Sequence, residues 1–107
     1  MEPDAEITPQ QLSARLQAES APDILDVREP WEHALCALPG ARLIPMEELQ
    51  FRVDEVRPDR EVVVYCHHGI RSAAVVQWLR HQGIPAVNLR GGIDAWTLAV
   101  DPSLRRY

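Results

Sequence analysis

The chain has 107 residues, of which 46% are hydrophobic and 25% are charged, and its formal net charge is −5. This length fits one domain, residues 1–107, with its own core, and the negative charge argues against nucleic acid as a partner. Two cysteines make no disulfide framework and no apolar run reaches membrane length, so we expect a cytoplasmic protein with no membrane partner.

The first local signal is a helix start. Thr8, Pro9 and Gln11 have the spacing of an N-cap, a proline at the first helical position and a capping-box partner, and Leu12 and Leu16 give the helix an apolar stripe. Apolar spacing and turn residues predict the next elements in chain order: a strand at 24–27, a short helix at 31–35, a strand at 41–44 and a helix at 46–56.

The second half of the chain continues this alternation. It predicts a strand at 62–65, a helix at 72–82 closed by Gly83, a strand at 86–89 and, after Gly91-Gly92, a short helix around 93–98. Strands that alternate with helices at such short spacing indicate an α/β domain, in which helices flank both faces of a central parallel sheet. Sites in such sheets form outside the carboxyl ends of the strands, where Asp26 and Cys66 both fall.

Cys66 leaves a buried strand and enters a tight loop that leads into a helix. The unpaired backbone N–H groups at a helix start favour the thiolate over the thiol, whose free pKa is about 8.5, so a reactive nucleophile is expected. Gly69 permits a positive φ, and successive N–H groups of the loop would form an anion nest. Arg71 stands near the helix start, where a cation is disfavoured unless an anion is bound.

The charge distribution supports an anion site at this loop. No Asp or Glu occurs between Val62 and Ile93, whereas three arginines do. The chain has no lysine, which excludes Schiff-base chemistry and a phosphate-loop lysine. Cys66, His67 and His68 are adjacent and cannot easily converge on one ion, so we predict neither a metal nor a cofactor.

Four segments of the chain form a recognisable pattern, in register and in this order: Asp26-Val27-Arg28-Glu29, Leu38-Pro39-Gly40-Ala41 with Ile44-Pro45, Cys66-His67-His68-Gly69-Ile70-Arg71-Ser72, and Gly91-Gly92-Ile93-Asp94-Ala95-Trp96. The pattern resembles the rhodanese-like sulfurtransferases in their single-domain form. The resemblance implies a parallel sheet flanked by helices and a cysteine that accepts sulfane sulfur as a persulfide and passes it to a thiol or to cyanide.

The resemblance assigns roles to residues of this sequence. Cys66 would be the nucleophile and Arg71 would assist electrostatically. Asp26 and Arg28 would support the loop through hydrogen bonds. The residues that would line the anion-binding loop are His67, His68, Gly69, Ile70 and Ser72.

Two departures from the pattern concern the donor and the second cysteine. Many relatives carry arginine where His67 stands, and an uncharged imidazole holds a dianion less firmly, so the donor is either thiosulfate or a protein persulfide. Cys36-Ala37 stands where many relatives have Gly-His. Cys36 is then either a packed small residue, which we favour, or a resolving thiol for Cys66.

Two other function classes remain open. The related phosphatases and arsenate reductases place arginine one position further along the loop, which widens it for a tetrahedral oxyanion. Arg71 lies five positions after Cys66, which favours sulfur transfer. A catalytically silent sulfur-relay or interaction module is the third alternative.

Overall fold

Five parallel strands form one sheet in the computed structural model, which describes residues 5–19 and 21–107. Their order across the sheet is β1-β5-β4-β2-β3. The strands are β1 (Glu6–Ile7), β2 (Asp23–Asp26), β3 (Arg42–Leu43), β4 (Val62–Tyr65) and β5 (Ala86–Leu89). The central strand β4 pairs with β2 and β5, and the register sets Asp26 opposite Tyr65, so the ends of β2 and β4 lie side by side.

The helices connect these strands. They are α1 (Pro9–Leu16), α2 (Pro30–Leu35), α3 (Leu49–Arg52), α4 (Ile70–His81) and α5 (Gly92–Ala99), with 3-10 turns at Met46–Glu48 and Val53–Glu55. The capping box predicted at α1 is present, because Thr8 Oγ1 accepts the N–H of Gln11 at 3.1 Å and Gln11 Oε1 accepts the N–H of Thr8 at 2.9 Å. No helix within the described residues has the length and apolar character needed to cross a membrane.

Helices cover both faces of the sheet, as the sequence predicts. Val62 and Val64 of β4 pack in the same cluster as Val76 of α4, whereas Val63 and Tyr65 belong to a second cluster on the other face. The second cluster includes Leu12 of α1, Ile93 of α5 and Trp96 of α5. This two-sided burial explains why β4 is a continuous apolar run.

The structure corrects two local predictions and adds one strand. Residues 46–56 are not one helix, because Arg52 has φ −127° and ψ 17° and breaks the segment into a short helix between 3-10 turns. Helix α4 begins at Ile70 rather than Ser72, because Gly69 at φ 96° is its N-cap. Strand β1 was not predicted, since its two residues are too short for a period-two pattern and are defined by pairing with β5.

Candidate active site

Cys66 lies immediately after β4, at the carboxyl edge of the sheet, and is 1% exposed. Its Sγ atom lies 3.1 Å from the backbone N of Gly69, 3.4 Å from the backbone N of Ser72 and 3.3 Å from Ser72 Oγ. Burial raises the pKa of the Cys66 thiol, but the hydrogen bonds from Ser72 and Gly69 and the charge on Arg71 outweigh it and hold the pKa below its ordinary value. The loop therefore stabilises a thiolate.

Helix α5 fixes the orientation of this loop. The backbone N–H groups of Ile93 and Asp94 donate to the carbonyl oxygens of Cys66 and His67, at 2.9 and 3.1 Å. A Cβ atom on Gly92 would lie 2.4 Å from the His67 oxygen and 2.6 Å from the Cys66 oxygen, so only glycine allows this approach. With these two carbonyls directed at α5, N–H groups at the start of α4 can face the sulfur.

Asn88 of β5 forms hydrogen bonds with two residues of the Cys66 loop and was not identified from the sequence. Its Nδ2 atom donates to the carbonyl oxygen of Gly69 at 3.1 Å, and its Oδ1 atom lies 2.6 Å from Ser72 Oγ. Asn88 is 2% exposed. The sequence feature that could have identified Asn88 is its position as a polar residue within an otherwise apolar strand, because a buried polar side chain needs hydrogen-bond partners.

Arg71 pairs with Glu32 of α2, which was also missed. Its Nη1 and Nη2 atoms donate to Glu32 Oε1 and Oε2, each at 2.9 Å. In this structure the guanidinium of Arg71 is therefore paired with a carboxylate of the protein itself. Burial raises the pKa of Glu32, but hydrogen bonds from Arg71, Tyr107 and the Glu29 backbone lower it to about 2. Glu32 lies in a segment that starts a helix, Pro30-Trp31-Glu32, and nothing in that local sequence predicts a contact with the distant Arg71.

Asp26 and Arg28 form a buried pair in which both side chains are fully inaccessible. Arg28 donates from Nε to Asp26 Oδ1 at 2.9 Å and from Nη2 to Oδ2 at 2.7 Å. Arg28 also donates from Nη2 to the Cys36 carbonyl oxygen at 2.6 Å and from Nη1 to Tyr107 Oη at 2.8 Å. The pair lies in the scaffold beneath α2, and neither residue is among the hydrogen-bond partners of the Cys66 sulfur.

Three aromatic rings stack beside the loop. The ring centroid of His67 lies 3.9 Å from that of His68 and 3.8 Å from that of Tyr107, which was not singled out in the sequence. Burial and the neighbouring His68 lower the pKa of His67, which favours a neutral imidazole. Ile70, in contrast, is 81% exposed and directs its side chain to solvent.

His67, His68 and Asp94 bring one potential metal-ligand atom each within 4.8 Å of one another. The two imidazole rings are stacked, with an angle of 22° between their planes. Asp94 also accepts hydrogen bonds from Arg106, at 2.9 and 3.4 Å. The Asp94 carboxylate is therefore already paired with Arg106, and a metal ion bound here would compete with that guanidinium.

Cys36 and Cys66 are both buried, free cysteines. They belong to different core clusters, one on each face of the sheet. This placement fits a packed Cys36 better than a resolving thiol, because a disulfide needs the two Cα atoms within about 7 Å and suitably oriented Cβ atoms.

Among the clefts formed by the described residues, two lie elsewhere on the surface and do not include Cys66. One, of about 400 Å³, includes Asp23 and Val62 at the amino ends of β2 and β4. The other, of about 370 Å³, lies between Met46 and Trp78. The chemistry of the Cys66 loop is therefore separate from these depressions.

In comparison with known protein families, residues 8–99 match the family model of the rhodanese-like domain. A protein from Allochromatium vinosum named sulfurtransferase is 41% identical over 92 residues, which are 85% of this chain and 86% of that protein. The chloroplastic rhodanese-like/PpiC domain-containing protein 12 of Arabidopsis thaliana is 34% identical over 114 residues, and the chain spans 38% of its length. A rhodanese-like domain protein from Staphylococcus aureus superposes with a TM-score of 0.84 at 34% identity, over 95% of this chain and 97% of that one.

Proposed function

Because the chain belongs to the rhodanese-like domain family, whose members include proteins named sulfurtransferase, we propose that it transfers sulfane sulfur through a persulfide on Cys66. The observation that carries this proposal is the environment of the Cys66 sulfur, where N–H groups of Gly69 and Ser72 and the Ser72 hydroxyl surround a buried atom. Such an environment stabilises an anionic sulfur without an added cofactor.

In the first half-reaction the Cys66 thiolate attacks the outer sulfur of the donor. The new S–S bond forms as the donor's bond to that sulfur breaks, and the leaving group departs with the electron pair; from thiosulfate this is sulfite. No proton is needed, because Cys66 enters as a thiolate and leaves as a persulfide anion. Neutral N–H donors suit both anions.

In the second half-reaction a nucleophilic acceptor attacks the terminal sulfur of the persulfide. A thiolate takes it as a new persulfide and cyanide takes it as thiocyanate, and in both cases the electron pair of the broken bond returns to Cys66. We propose thiosulfate or a protein persulfide as donor and a thiol or cyanide as acceptor. The neutral His67 adds no charge with which to hold a dianion.

The test is thiocyanate formation from thiosulfate and cyanide by the wild-type chain and by two matched variants. Cys66→Ser removes the thiolate and is expected to reduce the rate to the uncatalysed level. Cys36→Ser changes the other buried cysteine and should retain most of the activity. Full activity of Cys66→Ser would show that the nucleophile is another residue. If the wild-type chain transfers no sulfur but hydrolyses an aryl phosphate in a reaction that requires Cys66, the phosphatase alternative would be favoured.

A further inference from the structure

The charge of Arg71 is matched within the protein. Both Nη atoms donate to Glu32, in a bidentate pair with two distances of 2.9 Å. The Arg71 side chain is 38% exposed, whereas that of Glu32 is 4% exposed. The arginine of the Cys66 loop therefore faces a carboxylate that is itself part of the fold.

Glu32 is held in place by further donors. The Glu29 backbone N–H bonds to Oε1 at 3.0 Å, and the Tyr107 hydroxyl bonds to Oε2 at 2.7 Å. With Arg71, four hydrogen bonds reach this carboxylate, and they explain why its pKa falls to about 2 despite burial. Glu32 is thus ionised at neutral pH, and four hydrogen bonds orient its carboxylate.

The other charged groups near Arg71 do not restore a positive field. The neighbouring carboxyl group of Glu47 raises the pKa of Glu29, which also interacts electrostatically with Glu32 and Arg71. Arg28 is paired with Asp26. The groups that contact the Cys66 sulfur are thus neutral N–H and O–H donors, while the neighbouring guanidinium of Arg71 is held by the carboxylate of Glu32.

Resting on the function proposed above, we propose that Glu32 is a positioning residue that makes the Cys66 site selective for sulfur donors with a single negative charge over dianions such as thiosulfate. By holding Arg71, Glu32 withholds the guanidinium that would bind a second negative charge and presents its own carboxylate instead. Thiosulfate still reacts, but it binds more weakly than a monoanionic donor of the same shape.

The matched probes are thiosulfate and methanethiosulfonate. Both carry a sulfane sulfur on a tetrahedral sulfur centre, and in the second a methyl group replaces one charged oxygen. Cys66 attacks the outer sulfur in each case, and sulfite or methanesulfinate leaves with the electron pair. The ratio of the two kcat/KM values, measured with cyanide as acceptor, cancels any change in the nucleophilicity of Cys66.

Four variants separate the contributions. Glu32→Gln keeps the shape and one acceptor oxygen, and we expect it to raise the thiosulfate preference roughly tenfold, mainly through a lower KM, as about 1.4 kcal/mol gives. Arg71→Gln should lower the preference, because Glu32 then lacks its counter-charge. The double variant should return close to wild type. Glu61→Gln removes an ion pair with Arg15 before the amino end of β4 and should leave the ratio unchanged.

An unchanged ratio in Glu32→Gln, or an equal rise in the double variant, would overturn the role of Glu32. If circular dichroism shows that Glu32→Gln is unfolded, Arg71→Gln decides alone, and a ratio at or above wild type would refute the inference. Transfer from neither donor by the wild-type chain would instead overturn the proposed function, and the inference with it.

Discussion

Ser72 has one hydroxyl proton and two acceptors within reach, the Cys66 sulfur at 3.3 Å and Asn88 Oδ1 at 2.6 Å. The Asn88 amide is oriented by its Nδ2 donation to the Gly69 carbonyl, so its oxygen faces Ser72. When Cys66 is a neutral thiol, the shorter contact to Asn88 should hold the proton. A thiolate is a charged acceptor and should compete for it.

Removal of this hydroxyl should make Cys66 less reactive. In Ser72→Ala the thiolate loses one donor while the backbone N–H groups remain, so the pKa of Cys66 should rise. We expect alkylation by iodoacetamide at pH 7 to slow by roughly tenfold, which corresponds to about 1.4 kcal/mol. The measurement is the pH dependence of the alkylation rate, followed by intact mass.

Ser103→Ala is the matched control, because Ser103 is exposed and its hydroxyl bonds to Asp101, two residues away in the sequence. Its alkylation profile should overlay that of the wild type. A Ser72→Ala profile with the same midpoint as wild type would show that the backbone donors alone set the pKa of Cys66.

At the scale of elements, the start of α5 shapes the loop after β4. The N–H groups of Ile93 and Asp94 bond to loop carbonyls, and Gly92 has a φ of 64° and no space for a side chain. The two consecutive glycines, Gly91 and Gly92, predicted a turn before a helix. They did not predict that this turn would contact the cysteine loop.

Gly92→Ala should therefore be costly. Its Cβ would overlap two backbone oxygens that cannot move without opening the loop, and we expect a loss of about 2–4 kcal/mol in the free energy of unfolding, with loss of sulfur transfer. Gly83→Ala is the control, since Gly83 has a φ of 82° but no atom within 4 Å of an added Cβ. It should lose only about 1 kcal/mol.

Urea unfolding curves of the two variants provide the comparison. Equal midpoints for Gly92→Ala and Gly83→Ala would mean that the positive φ, rather than contact with the loop, is what requires glycine at position 92.

Elements with local signals were predictable. The capping box of α1 joins residues three positions apart, and β4 and β5 are apolar runs bounded by turns. The supporting side chains were not predictable in this way. Glu32 bonds to Arg71, which is 39 residues away in the sequence, and to Tyr107, which is 75 residues away. No local sequence pattern specifies which distant groups the packing of α2 and of the C-terminal residues brings together.

At the scale of the whole molecule, charge along the sequence differs from charge in space. The stretch without acids around Cys66 suggested an excess of positive charge, but Arg71 pairs with Glu32 and Arg90 pairs with Glu6, and both acids come from other parts of the chain. The prediction of an anion-binding loop rests on backbone N–H groups, which the strand-loop-helix pattern did indicate.

Acid should destabilise the fold through its buried carboxylates. Hydrogen bonds, chiefly from Arg28, outweigh burial and hold the pKa of Asp26 below its ordinary value, and that of Glu32 is about 2. Unfolded carboxyls titrate near about 4, so these groups stabilise the folded state fully above about pH 5 and lose that effect as pH falls toward 2. Urea unfolding at pH 7, 5 and 3 should show a falling midpoint.

Asp26→Asn tests the same network at neutral pH. It leaves Arg28 buried without its counter-charge, and we expect a loss of about 3–5 kcal/mol at pH 7 and a flatter acid dependence. Asp59→Asn, which removes an exposed pair with Arg57, should stay within about 0.5 kcal/mol of wild type. An Asp26→Asn midpoint that falls between pH 7 and 3 as steeply as that of wild type would contradict the assignment of acid sensitivity to this pair.

The most direct test of the central claim is the intact mass of the protein after incubation with a sulfane-sulfur donor. If Cys66 carries sulfur as a persulfide, the wild-type chain gains the mass of one sulfur atom, peptide mapping locates that atom on Cys66, and cyanide removes it as thiocyanate. Cys66→Ser should gain none. Absence of added sulfur on Cys66 with thiosulfate, methanethiosulfonate and a protein persulfide alike would contradict sulfur transfer through this cysteine.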